Sequence, residues 1–222
     1  MIKVSIVGVG PGSADYIIPA AIKKVQNAQI VIGAQRSLDL FQDIITGEII
    51  KLTASNLIET INYAANCAKQ DKTVVILSTG DPGFSGLLAS FQKFNLQQEV
   101  EVEVIPGISS IQICAARLEL SWDKTKLFTF HDSVTTEKKT ELVGCIKKEK
   151  PIILLTNSKS FTPKIIANFL INNKIRKETK VIICENLTLK NEKIIETTLE
   201  EISKLHFESL CIMVVKGKEK NY

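Results

Sequence analysis

Three short stretches gather the residues of this 222-residue chain whose types and spacing suit chemistry: "VGPGS" (9–13), "STGDPGFSG" (78–86) and "PGISS" (106–110). Each is rich in glycine or proline, and each follows an apolar run. Glycine there permits a positive φ and a close approach of backbone to ligand. Read with Gly8, the first stretch begins like a dinucleotide cradle, G-x-G-x-x-G. Gly8 and Gly10 fit, but the third glycine position holds Ser13. Pro11 also removes an amide that a phosphate needs. The acidic residue that should close the next strand is missing, since that strand ends "IVIGAQR". There is no G-K-[ST] for a Walker A loop. A nucleotide-binding redox domain is therefore only a remote alternative.

The second stretch sets Asp81 between Gly80 and Pro82. Its carboxylate can face a bound molecule, or it can make an Asx turn that caps the following helix. The third presents two hydroxyls, Ser109 and Ser110, at a helix start, where capping explains one serine. His131 ends a strand pattern. It is a tempting base, but packing or hydrogen bonding is the plainer reading, and no catalytic residue is assigned. A metal centre is not expected. The five cysteines contain no CxxC pair, and neither histidine lies near a cysteine in sequence. The cysteines read as buried free thiols of a reducing compartment.

These stretches need a frame that brings them together. In the first half, apolar runs at Ile2–Val9, Gln29–Ile32, 73–78 and 100–105 alternate with helical spacing at Pro19–Ala28, Leu57–Lys69, Leu87–Phe94 and 109–120. Strand alternating with helix predicts a mainly parallel sheet with helices on its faces. In such a sheet ligands bind beyond the carboxyl ends of the strands. Three glycine turns there would line one site. The second half has strand patterns at 126–130, 152–155, 180–184, 193–198 and 210–215, with helices at 137–148, 161–172 and about 198–205. Its last two strands are closely spaced, which predicts a mixed sheet with antiparallel pairing. The fold class is α/β in two domains, 1–120 and 121–222, divided at "LSWDKT" (120–125). The tail "KGKEKNY" is expected to fray.

Charge divides the same way. Residues 1–110 carry eight Lys/Arg against ten Asp/Glu, and residues 111–222 carry twenty against fourteen. The excess is mostly lysine. It reads as a solvated surface or as a field that draws in an anionic substrate. Nucleic acid is not expected, for want of a basic run with interleaved aromatics. No apolar run approaches the length of a membrane span, and no signal peptide opens the chain, so a cytoplasmic protein is expected.

The motifs together carry more than each alone. "GVGPG", "TGDPGFSG" and "PGISS", in this order and each after a strand, resemble the tetrapyrrole (corrin/porphyrin) methyltransferases. The likeness spans nearly the whole chain. "IVIGAQRSLDLF" (30–41), "GDPGFSG" and "CENLTLKNEKI" (184–194) are similar to segments of the cobalt-precorrin-7 C5-methyltransferases, the counterpart of the first half of the fused precorrin-6Y methylase. Ile17–Ile18 and His131–Asp132 depart from the family pattern, as does the lack of glycine in "NLTLKNEKI".

The resemblance implies two α/β domains with S-adenosylmethionine in the cleft between them. Thr79, Gly80, Asp81, Phe84, Ser109, Ser110, Thr156 and Asn157 would hold the cofactor. Asp81 would bear on its ammonium or sulfonium end. Gly10, Pro11 and Gly12 would face the tetrapyrrole, the glycines making room for a flat macrocycle. Lysines and Arg36 would pair with substrate carboxylates. The implied reaction is methyl transfer to C5 of a cobalt-corrin precursor in cobalamin biosynthesis. Another tetrapyrrole carbon or a macromolecular acceptor is the alternative. A homodimer is implied too, with C15 methylation and decarboxylation on a separate chain.

Overall fold

The structure is a computed structural model that describes residues 3–94, 98, 100–131 and 133–217. Ile2, Asp132 and most of the tail lie outside the described residues. The chain divides into two compact units, Met1–Ser110 and Ile111–Tyr222.

The first unit is built on one parallel sheet. Its strands are β1 (Lys3–Gly8), β2 (Ile30–Gly33), β3 (Glu48–Lys51), β4 (Val74–Ser78) and β5 (Glu101–Ile105), in the order β3-β2-β4-β1-β5. Helices α1 (Pro19–Gln26), α2 (Gln35–Asp39), α3 (Leu57–Lys69) and α4 (Leu87–Lys93) connect them. β1, β2 and β4 are nearly continuous apolar runs because helices cover both of their faces. One face packs Val4, Ile6, Ile32 and Ile76 with α3 and Phe91 of α4. The other packs Val7, Val31 and Leu77 with α1 and Phe41. The edge strand β5 is charged. Lys3 pairs with Glu101 at 3.0 Å, and Lys24 with Glu103 at 2.6 Å. Such charges discourage further strands from adding to the edge.

The second unit has a mixed sheet. Its strands are β6 (Lys126–Thr129), β7 (Ile152–Leu155), β8 (Lys180–Glu185), β9 (Lys193–Thr198) and β10 (Cys211–Val215), in the order β6-β7-β10-β8-β9. Only β6 and β7 run parallel; β10 is antiparallel to both neighbours, and β9 to β8. Helices α6 (Thr136–Lys147), α7 (Pro163–Asn172) and α8 (Leu199–Ile202) cover one face over a core centred on Phe128, Phe130 and Phe161. The Phe130 and Phe161 rings meet at 4.6 Å, tilted by 59°.

Helix α5 (Ser110–Arg117) begins where the units divide, ten residues before the expected boundary at 120/121. Two contacts tie it to the second unit. Cys114 meets Cys184 of β8, and Arg117 reaches Glu192. The short elements β3 and α2 were not expected. "EIIK" is an exposed edge without alternation, and "QRSLD" is too short to show a helical period.

The turn after β8 is strained. Asn186 and Thr188 have φ of +50° and +71°. For a β-branched residue such a φ is an outlier that its surroundings must enforce. Glu192 does so: its carboxylate accepts from Thr188 N at 2.6 Å and from Arg117 Nε at 2.7 Å. The Arg117 guanidinium beside it, with the Thr188 amide, holds the Glu192 carboxyl below the usual carboxylate range. A carboxyl lowered in the folded state stabilises above its unfolded pKa, and that contribution is lost as pH falls through the folded value. Wild type is therefore expected to melt above Glu192→Gln at neutral pH, with the gap closing below pH about 4. Thermal melts of both proteins across pH check this; a gap unchanged by pH refutes the tie.

Candidate active site

β4, β1 and β5 are adjacent and parallel, so their carboxyl ends lie side by side. The three glycine stretches leave from these ends and meet there through their backbones. Gly10 N donates to Gly80 O at 3.4 Å, and Gly80 N returns a bond to Gly10 O at 2.8 Å. Gly8 and Gly107 are closer still. A Cβ on Gly107 would strike the Gly80 carbonyl oxygen and lie 2.8 Å from Gly8 Cα. Gly10 and Gly80 have φ of +81° and +68°, which a side chain would strain.

Asp81 fastens the second stretch to the third. One carboxylate oxygen accepts Gly83 N at 2.8 Å in an Asx turn, and the other accepts Gly107 N at 3.0 Å. It does not cap α4. The N-cap there is Gly86, and the amide of Leu87 donates instead to Ser78 Oγ at 3.3 Å. Pro82 is buried and Phe84 half-buried, with Phe84 N on Asp81 O. Thr79 is exposed on this rim, and its hydroxyl lies 3.2 Å from that of the buried Ser37 in α2. Arg36 is exposed on α2, which follows β2 at the same sheet end. Ser109 is buried, and Ser110 opens α5. Gly10 and Pro11 are buried, and Gly12 is half-exposed.

Within the second unit, Thr156 and Asn157 follow β7. Thr156 Oγ1 donates to Cys211 O at 3.0 Å. Asn157 Oδ1 accepts Lys159 N and Ser160 N, while Nδ2 donates to His131 O at 3.0 Å. Both side chains are engaged within their unit. His131 is exposed at the end of β6, and its amide donates to Thr129 Oγ1.

A family model described as Tetrapyrrole (Corrin/Porphyrin) Methylases matches residues 3–203. The chain belongs to the tetrapyrrole methylase family. It is 42% identical over 215 residues to the probable cobalt-precorrin-7 C(5)-methyltransferase of Methanocaldococcus jannaschii, covering 97% of this chain and 98% of that one. The cobalt-precorrin-7 C(5)-methyltransferase of Salmonella typhimurium is 26% identical, covering 86% of this chain and 88% of its own. Among solved structures, cobalt precorrin-4 methyltransferase superposes with a TM-score of 0.81 at 26% identity, over 97% of this chain and 95% of that one. The chain is thus a methyltransferase on a two-domain α/β fold.

For a tetrapyrrole methylase, the rim offers main chain more than side chains. A would-be Cβ on Gly80 meets only Ser109 Cα, at an ordinary contact distance of 3.9 Å. A cofactor that needs close backbone approach and a few polar groups fits such a cradle. Ser37, Ser78 and Glu192 were not foreseen from sequence. For the two serines the signal was a hydroxyl set in or beside an apolar stretch.

Gly107→Ala is expected to cost about 3 kcal/mol, the upper end for overpacking against backbone. Denaturant unfolding measures it, and a cost under about 1 kcal/mol would contradict the contact. Asp81→Ala strands two amides and is expected to cost about 1–3 kcal/mol, with Asp81→Asn costing less because its oxygen still serves one amide. Equal stability of both variants to wild type would show that the tie is idle.

Proposed function

We propose that this chain transfers a methyl group from S-adenosylmethionine to C5 of cobalt-precorrin-7 in cobalamin biosynthesis. The observation that carries this reading is the 42% identity, over nearly the full length of both chains, to the relative of that name. A bound sulfonium supplies an electrophilic methyl with a good, neutral leaving group. What remains for the protein is in-line positioning and exclusion of water.

The residues divide the work by chemistry. Gly80, uncrowded on its side-chain side, and the exposed Thr79 form the cofactor cradle, with Phe84, Ser109 and Ser110 at its sides. Asp81 acts by holding the cradle closed on Gly107, and its carboxylate charge favours a cationic ligand nearby. Thr156 and Asn157 contribute through their backbone, since their side chains are engaged. Gly10, Pro11 and Gly12 face the corrin, with Gly12 the most accessible of the three. Arg36 and the lysine-rich second half offer cations to a polycarboxylate by charge-assisted pairing. The reading includes a homodimer in the cytoplasm, with C15 methylation and decarboxylation on another chain.

The deciding experiment incubates the chain with methyl-labelled S-adenosylmethionine and cobalt-precorrin-7, and reads the ring position by nuclear magnetic resonance. Label at C5 is the expected result. Transfer to another carbon, or to cobalt-precorrin-4 in preference, overturns the assigned acceptor. Calorimetry that shows binding of NAD but not of S-adenosylmethionine overturns the cofactor.

A further inference from the structure

Strand register sorts the cysteines of the second unit by face. In the β8–β10 pair, Cys184 stands opposite Ile212, and Glu185 opposite Cys211. Opposed residues share a face and successive residues alternate, so Cys184 and Cys211 lie on opposite faces of the sheet. Cys211 joins Cys145 in the aromatic core under α6, α7 and α8. Cys184 meets α5 instead, where its Sγ lies 3.6 Å from Cys114 Sγ. Cys114 is 0% exposed and Cys184 1%. Cys67 belongs to the first unit.

The contact polarises the pair. The Cys114 thiol donates to the Cys184 sulfur, which lowers the Cys184 pKa against the opposing effects of burial and of the Glu192 carboxylate. The same bond and burial raise that of Cys114. The contact thus gives the two sulfurs unequal roles, Cys114 as donor and Cys184 as acceptor. The thiolate is the form that attacks a peroxide.

We infer that Cys114 and Cys184 are a reversible redox pair that closes to a disulfide between α5 and β8, with hydrogen peroxide or another small hydroperoxide as oxidant. The Cys184 thiolate attacks a peroxide oxygen, the O–O bond breaks, and Cys184 becomes a sulfenic acid as hydroxide leaves. The Cys114 sulfur then attacks the sulfenic sulfur. An S–S bond forms, the S–O bond breaks, and water departs with the help of the Cys114 proton. Two thiols give up two electrons in total, and hydrogen peroxide becomes two waters. The sulfurs must close from van der Waals contact to about 2.05 Å, a movement shared by two side chains. A small oxidant suits a pair with so little exposed surface.

The test treats the purified full chain with graded hydrogen peroxide, removes the peroxide with catalase, unfolds the protein and alkylates its thiols. Intact mass and peptide mapping follow. The reduced chain has five thiols to label. The oxidised chain is expected to lose two labels, to yield one disulfide-linked pair of peptides carrying Cys114 and Cys184, and to regain both labels with dithiothreitol. Cys211→Ser should still lose two labels; Cys184→Ser should lose none as a pair. Full labelling of wild type at every peroxide concentration overturns the inference. So does a linked pair that includes another cysteine, or loss that dithiothreitol does not reverse. The wild-type peptide map decides the matter even if a variant fails to fold.

Discussion

The close approach of the Gly8, Gly80 and Gly107 backbones is the constraint on which the first unit's functional end depends. β4, β1 and β5 lie side by side, so the chains leaving them must separate at once or pack main chain to main chain. They pack. That arrangement excludes any Cβ at Gly8 and Gly107, and it leaves polar backbone groups to be paired. The reciprocal bonds of Gly10 with Gly80 and the two amides on Asp81 pair several of them. Interactions that resemble ligand contacts in the sequence are therefore part of what shapes the rim.

The same economy governs the second unit. Thr156 and Asn157 spend their side chains on Cys211, His131 and their own loop, and Glu192 holds a strained Thr188 through its carboxylate. Similar sequences in this family carry names for different ring carbons, C(5) and C(11). A scaffold tied together by main chain is compatible with that variety, because side chains outside it can change without disturbing it.

Much of this was legible in the sequence. The strand and helix periods of both halves are strong, because apolar runs such as "TVVILS" and helical spacing such as that of Leu57–Lys69 are dictated by burial. The order of three glycine turns after three strands indicated that they meet at one end of the parallel sheet, and they do. What pairs with what was not legible. Asp81 offered a cap or a ligand contact, and the structure uses it as a bridge to an amide 26 residues away. At Gly8 and Gly107 the neighbouring loops fill the room that glycine leaves, a packing partner that the sequence did not disclose. Long-range partners of this kind leave no local pattern. The β3 edge and α2 escaped for the opposite reason, being too short to show a period.

A rim built from peptide groups has an evolutionary signature. Where side chains make a site, selection fixes chemical identity and forgives changes in neighbouring shape. Here Thr79 is exposed and Gly12 half-exposed, while Gly8 and Gly107 admit no added atom. Drift in sequence is therefore expected to spare Gly8 and Gly107, where an added carbon would strike main chain. What such a rim holds fixed is a set of missing carbons.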